Sequence, residues 1–295
     1  MATIGILGIG EMGAAWARLL RRHGQEVLTY LDDRSERTKK RAQEAAVASR
    51  ESVEALVRDA DVVVSLVPTS AADPVADAVA RAIPQAHPGL LFVEANAIAP
   101  GRVQAIARRI EAAGGRCVDA AVLGLARGIG NGTLVIASGP HAEALQAWSA
   151  WGFRVRVLGP EVGQASALKM LNAGLTKGLT ALLLELLLTA RGLGCLQQVM
   201  DWYDEAFGGL VKRVALSITG LPVHARRRAE EMEELAGLMA ELDLAPTLAE
   251  ATRRVLLAVA SAAPPPESAG HAPEVTELLA LLAERGALKG PTLPE

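Results

Sequence analysis

Gly8-Ile9-Gly10-Glu11-Met12-Gly13 carries the spacing GxGxxG close to the N-terminus. In a strand-to-helix turn the three glycines have separate tasks. Gly8 permits the tight turn, Gly10 lets a pyrophosphate approach the backbone, and Gly13 allows close helix–strand packing. The free N–H groups and the dipole of the following helix then favour an anion. Glycine-rich turns are common, so the motif carries meaning only with a strand before it and a helix after it. Further on stand Asp32, Asp33, Arg34, Ser35 and Arg37. An acid closing the second strand of such a unit bonds the ribose 2′-hydroxyl of NAD, whereas a basic cluster accepts the 2′-phosphate of NADP. Leu31 holds the expected strand-end position, and Arg34, Ser35 and Arg37 follow at once. This favours NADP(H) over NAD(H). The same residues also fit a solvated loop with Ser35 capping a helix.

Lys169 is the third chemically suggestive residue. The chain has six lysines, and this one interrupts an apolar stretch, Ala167-Leu168 before it and Met170-Leu171 after it. A solvated charge is unexpected there. A partly buried lysine beside a nicotinamide is able to exchange a proton with a hydroxyl or carbonyl oxygen during hydride transfer. The bland alternative is a lysine snorkelling at a helix edge. Helical spacing puts Asn172, Ala173 and Thr176 on the same face.

These residues need elements to hold them. Thr3 to Leu7 reads as a strand bounded by Gly8, and Glu11 to His23 as a helix ending at Gly24. Further strands are expected at Val27 to Leu31, Asp61 to Val67, Leu90 to Ala95, Arg116 to Val122, Thr133 to Ser138 and Phe153 to Leu158. Helical stretches lie between most of them. The alternation predicts an α/β fold, a Rossmann-type doubly wound parallel sheet over residues 1–160. From Glu161 the texture becomes Ala/Leu-rich and helical, predicting an all-α second domain over 161–262 that opens with a long helix, Gly163 to Leu193. Residues 263–295 read as a Pro-rich linker, a short helix from Glu274 to Arg285, and a tail.

Composition narrows the classes. Thirty Lys+Arg against 33 Asp+Glu give a net charge of −3, which does not favour a nucleic-acid partner. Cys117 and Cys195 stand apart, and no His or Cys spacing suits a metal. The isolated cysteines fit a reducing, cytoplasmic setting, and with no basic segment before the first strand no signal peptide is expected. The apolar run Leu179 to Arg191 contains Glu185 and is shorter than the roughly 18 residues of a membrane span. It reads as a buried soluble helix, with Glu185 an interhelical partner or a dimer contact. No GxSxG motif supports hydrolase chemistry.

Taken in order, several motifs resemble the β-hydroxyacid dehydrogenase superfamily, which includes 3-hydroxyisobutyrate and 6-phosphogluconate dehydrogenases and the imine reductases. They are the GxGxMG of Gly8 to Gly13, Val67-Pro68 after the Asp61 strand, Asn96 with Pro100, Gly132-Thr133-Leu134, and Gly163 six residues before Lys169. The resemblance covers about residues 3–260. Leu28 to Ser35 and Ser166 to Met170 are most similar to a little-characterised bacterial branch with a divergent helical C-terminal domain. It implies cofactor contacts from Gly8, Ile9, Gly10, Glu11, Met12, Gly13, Arg34, Ser35, Arg37, Val67, Pro68 and Asn96. It also implies a catalytic Lys169 and a two-fold homodimer built around the long helix. The small-molecule substrate would meet Leu123, Gly124, Asn172 and Thr176.

Two departures bear on the substrate. Relatives place a serine and glycines after the Arg116 strand to hold a carboxylate, whereas this chain has Leu123-Gly124-Leu125. Relatives commonly place Asn four residues after the lysine, where this chain has Ala173, with Asn172 one position earlier. Thr176 and Lys177 replace the acid and tyrosine of 6-phosphogluconate dehydrogenases, which argues against that decarboxylation. The resemblance implies hydride transfer to a carbonyl or from an alcohol carbon, with imine reduction and a non-catalytic nucleotide sensor as alternatives. Imine reductases usually carry another residue in place of the lysine.

Overall fold

The protein is described by a computed structural model that covers residues 1–32, 34–85, 89–263 and 273–288. Asp33, His87, His271, the Pro264-Pro265-Pro266 stretch and the tail beyond Leu288 lie outside the described residues. The chain divides into two compact units, residues 1–169 and 170–295.

The first unit alternates strand and helix: β1 (Thr3–Leu7), α1 (Glu11–Arg22), β2 (Glu26–Tyr30), α2 (Glu36–Glu44), β3 (Ala48–Arg50), α3 (Val53–Asp59), β4 (Val62–Ser65), α4 (Ala72–Ala82), β5 (Leu91–Glu94), α5 (Pro100–Ala112), β6 (Arg116–Leu123), β7 (Leu134–Ser138), α6 (Glu143–Gln146) and β8 (Arg154–Gly159). These strands form one sheet in the order β3-β2-β1-β4-β5-β6-β7-β8. Strand side chains alternate between two apolar layers. Ile4, Ile6, Val64 and Val93 join Trp16 and Leu20 of α1 on one face, while Val63 and Phe92 join Leu56, Val79 and Ile106 of α3, α4 and α5 on the other. Trp16 packs edge-on against Trp148 and Phe153, with ring centroids 5.8 and 5.0 Å away.

Local chemistry starts the helices. Ser35 Oγ accepts from Thr38 N at 3.3 Å and Ser52 Oγ from Ala55 N at 3.0 Å, capping α2 and α3. Pro100 opens α5.

The sheet departs from the expectation in three places. β2 ends at Tyr30 rather than Leu31. β3 went unpredicted, being three polar-leaning residues at the sheet edge, with no apolar alternation to announce them. The sheet is not wholly parallel, because β6 and β7 pair antiparallel. Only ten residues join Leu123 to Leu134 and they contain no crossover helix, so the chain turns back beside β6. β8 then runs parallel to β7.

The second unit holds the remainder of α7 (Gln164–Gly192), then α8 (Leu196–Ala206), α9 (Leu210–Thr219), α10 (Leu221–Glu241), α11 (Thr247–Ala262) and α12 (Val275–Glu284). Lys177 of α7 pairs with Glu231 of α10 at 2.6 Å, Thr180 meets Ser217 of α9 at 2.9 Å, and Arg253 of α11 pairs with Glu233 at 3.1 Å. Gly174 admits the Leu235 side chain, since a Cβ there would lie 2.5 Å from Leu235 Cδ2. By length and composition α7 would suffice to cross a membrane, yet it carries Lys169, Lys177 and Glu185. The expectation of a buried helix over Leu179 to Arg191 holds for one face only: Ala181, Leu183, Leu184, Leu187 and Ala190 are buried, while Leu182 and Leu186 are exposed. One chain covers one side of it.

Candidate functional site

A cleft of about 500 Å³ opens beyond the carboxyl ends of β1, β2 and β4. Its lining is Gly8 to Gly13, Tyr30, Arg34, Ser35, Thr38, Leu66, Val67 and Pro68. Strand order reverses at β1, where chains leave toward opposite sides of the sheet and a crevice must open. Gly8 adopts φ +102, and a Cβ on it would lie 2.3 Å from Leu66 O. A Cβ on Gly13 would lie 2.1 Å from Gly8 O. Gly10 is different, having open space where its Cβ would be. It is the N-cap of α1 and supplies no side-chain cap, so the first N–H groups of that helix stay available to an anion. A dinucleotide pyrophosphate fits this cradle.

Ten of the twelve residues predicted to meet the cofactor line this cleft: Gly8, Ile9, Gly10, Glu11, Met12, Gly13, Arg34, Ser35, Val67 and Pro68. Arg37 does not. It stands on α2, largely exposed and 3.7 Å from Glu11, whose carboxylate also accepts from Arg41 at 3.1 Å. Asn96 is 4% exposed and its side chain is engaged internally: Oδ1 accepts from Val67 N at 2.7 Å and Nδ2 donates to Ser65 Oγ at 2.8 Å. Its geometry shapes the Val67-Pro68 turn from behind. Tyr30, Thr38 and Leu66 join the lining unpredicted. Tyr30 does so because β2 ends one residue early, and Thr38 because it is one turn into the Ser35-capped helix.

At the carboxyl end of β5 and the middle of β6 lies a buried polar cluster that sequence reasoning missed. Asp119 is fully buried. Its Oδ2 accepts from Ser138 Oγ, Gly163 N and Ser166 N, each at 3.0 Å, and its Oδ1 from Ser166 Oγ at 2.6 Å. Ser138 Oγ in turn accepts from Ala165 N at 2.9 Å. A strand carboxylate thus caps the start of α7, answering N–H groups that a helix leaves orphaned. Lys169, half-buried, follows one turn later. Glu94 is the register partner of Asp119. Its Oε1 accepts from Asn96 N at 2.9 Å, while Oε2 is buried with no hydrogen-bond partner. Burial, reinforced by the Asp119 charge against the opposing pull of Asn96 and Lys169, pushes its carboxyl up to about 8. The available signal was an acid in each of two otherwise apolar strands.

Leu123 ends β6 and, like Leu134 and Leu168, packs against the buried cluster of Ala121, Ile136 and Ala165. Gly124 turns away at φ +134. Arg127 is exposed. Asn172 and Thr176 lie on the part of α7 that belongs to the second unit; both are exposed, and the Thr176 hydroxyl donates to Asn172 O at 2.9 Å. Among the described residues no group of three His, Cys, Asp or Glu side chains is disposed to hold a metal ion.

The family model for the NAD-binding domain of 6-phosphogluconate dehydrogenase matches residues 3–150, and a model for a domain of unknown function matches residues 190–259. An uncharacterised 28.5 kDa protein of Methanothermus fervidus is 31% identical over 254 residues, 85% of this chain and 96% of the relative. A solved structure of a conserved protein of unknown function, noted for its similarity to 3-hydroxyacid dehydrogenases, is 33% identical with a TM-score of 0.72, covering 86% of this chain and 96% of that one. Mycobacterium tuberculosis 3-hydroxyisobutyrate dehydrogenase with L-serine shares the fold at 19% identity, with a TM-score of 0.77 over 96% and 99% of the two chains.

Proposed function

Because the chain belongs to the β-hydroxyacid dehydrogenase-like family of NAD(P)-binding oxidoreductases, we propose that it transfers a hydride between a nicotinamide cofactor and a carbonyl or alcohol carbon. NADP(H) is the preferred cofactor and Lys169 the general acid/base. The single observation that carries this reading is the anchoring of α7 by Asp119, whose hold on Ser166 sets Lys169 one turn further along the helix. The bound nicotinamide supplies the hydride or accepts it. Glycines 8, 10 and 13 and the uncapped start of α1 hold the pyrophosphate. Arg34, Ser35 and Thr38 meet the 2′-phosphate, with Arg34 contributing charge. Lys169 Nζ gives its proton to the oxygen as the carbonyl is reduced, and takes it back in the reverse direction.

Leu123, packed against Ala121, Ile136 and Ala165, replaces a hydroxyl donor with an apolar wall, so the substrate is less polar at that position than a simple hydroxy-carboxylate. Lysine at position 169 favours oxygen chemistry over C=N reduction, and a nucleotide sensor would have no use for it. In Lys169→Ala, NADPH affinity is retained while kcat falls by roughly 10²–10⁴. A screen of aldehydes, ketones and cyclic imines identifies the substrate class. Turnover of imines alone, or full activity in the variant, overturns the reading.

The active form in this proposal is a cytoplasmic homodimer. Leu171, Leu175, Leu182, Leu186 and Leu193 are all exposed and fall on one stripe along α7 and its end. A second copy of the same helix would cover that stripe.

A further inference from the structure

We propose that Asn96 is a positioning residue for the nucleotide, acting through the backbone of Val67 rather than by touching the ligand; the inference rests on the reading of the cleft as the dinucleotide site. Leu66, Val67 and Pro68 form the wall of that cleft on the β4 side. This wall has no backbone donor left to offer. Leu66 N donates to Leu7 O at 2.8 Å, Val67 N donates to Asn96 Oδ1 at 2.7 Å, and Pro68 has no N–H. The phosphates therefore find their donors at the start of α1, and the wall meets the uncharged nucleoside part of the ligand.

Asn96 is itself fixed on two sides. Ser65 and Glu94 are register partners at the ends of β4 and β5, and Asn96 follows two residues beyond Glu94. Glu94 Oε1 accepts from Asn96 N at 2.9 Å and holds its main chain, while Asn96 Nδ2 donates to Ser65 Oγ at 2.8 Å and sets the plane of the amide. That leaves Oδ1 aimed at Val67 N. Both Asn96 and Val67 are buried, so losing Oδ1 leaves the Val67 N–H inside the protein without its acceptor. The segment after the wall has separate ties: Thr69 Oγ1 donates to Ala97 O at 3.3 Å, and Thr69 O accepts from Arg102 at 3.1 Å. The wall itself depends on Asn96.

A shift of the wall reaches the phosphate turn directly. A Cβ on Gly8 would lie 2.3 Å from Leu66 O and 3.0 Å from Val67 N, so the glycine turn and the wall are in van der Waals contact. Releasing Val67 from Asn96 moves both together, and the nucleoside and pyrophosphate parts of the cleft lose their fit at once. Arg34, Ser35 and Thr38 stand on the β2 side of the cleft and are untouched. Asn96 therefore governs affinity for the dinucleotide as such, and leaves the choice between NADP(H) and NAD(H) to those residues.

The test is an equal loss for two nucleotides. In Asn96→Ala the Kd values of NADPH and NADH, each from fluorescence titration of the folded protein, rise about tenfold and keep their ratio. Asn96→Asp brings both back to within about threefold of wild type, since its carboxylate accepts from Val67 N and Ser65 Oγ, and its protonated form accepts through one oxygen and donates through the other. Ile110→Val, in the buried core of α5, costs stability without touching the wall and leaves both constants unchanged. Four results overturn the proposal: wild-type affinity in Asn96→Ala, a loss confined to NADPH, Asn96→Asp as weak as Asn96→Ala, or the same loss in Ile110→Val. Should Asn96→Ala fail to fold, Ser65→Ala decides. It frees the amide plane and raises both constants about threefold, and unchanged constants overturn the proposal. A wild type that binds neither nucleotide overturns the cofactor reading and this inference together, whereas wild-type binding that is indifferent to Asn96 overturns the inference alone.

Discussion

The two compact units manage polarity in opposite ways. In the sheet unit, acids, hydroxyls and an amide lie wholly inside and answer one another: Asp119 takes four donors, and Asn96 ties β4 to β5. In the helical unit the outside is apolar, with Leu175 71% exposed and Leu216 and Leu248 more so. A buried polar network specifies one arrangement, because each misplaced member leaves an unsatisfied group. An exposed apolar stripe specifies nothing until something covers it. The polar groups of the sheet unit are thus answered within their own chain, while the helical unit leaves large apolar side chains exposed.

The contrast can be broken most severely at Asp119. Asp119→Ala leaves the donors of Gly163, Ser166 and Ser138 without their acceptor and should cost about 3–5 kcal/mol in urea unfolding of the sheet unit. A loss below about 1 kcal/mol would show that α7 is held by packing alone.

Glu94 gives a pH test of the same network. Its carboxyl is raised from an ordinary 4.5 to about 8 in the fold, so the folded protein binds this proton more tightly than the unfolded chain. The stability it contributes is complete below pH 4.5 and disappears as pH rises to about 8. Glu94→Gln should remove that slope. Relative to wild type, the variant gains up to about 4 kcal/mol between pH 5 and pH 8.5, read from urea midpoints at each pH.

On the helical side, Leu175→Glu places a charge in the middle of the exposed stripe. It should weaken self-association about 100-fold in sedimentation equilibrium while leaving NADPH binding unchanged. An unaltered association constant would place the interface elsewhere.

The smallest expected effects lie at the cleft mouth. Arg34→Ala should weaken NADPH binding about tenfold and NADH binding hardly at all, by nucleotide fluorescence titration. Equal losses for both nucleotides would refute the NADP preference. Glu11→Gln should tighten NADPH binding only about two- to threefold, because exposed ion pairs such as those with Arg37 and Arg41 contribute little.

Sequence alone determined what depends on neighbours along the chain. Periodicity marked β1, α1 and the long α7, and the glycine spacing marked the turn at Gly8 to Gly13, because a positive φ and close backbone approach exclude side chains locally. Lys169 stood out as a charge in an apolar helical run. What depends on distant pairing was decided only by the tertiary structure. Nothing near Glu94 or Asp119 in the chain announces that β5 and β6 set them in register, or that the carboxylate of one strand caps a helix beginning 45 residues later. The reversal of β7 and the open face of α7 belong to the same class. Strand direction follows from how a connection closes in space, and a helix face is covered or bare according to which elements pack against it, neither of which is written in local periodicity.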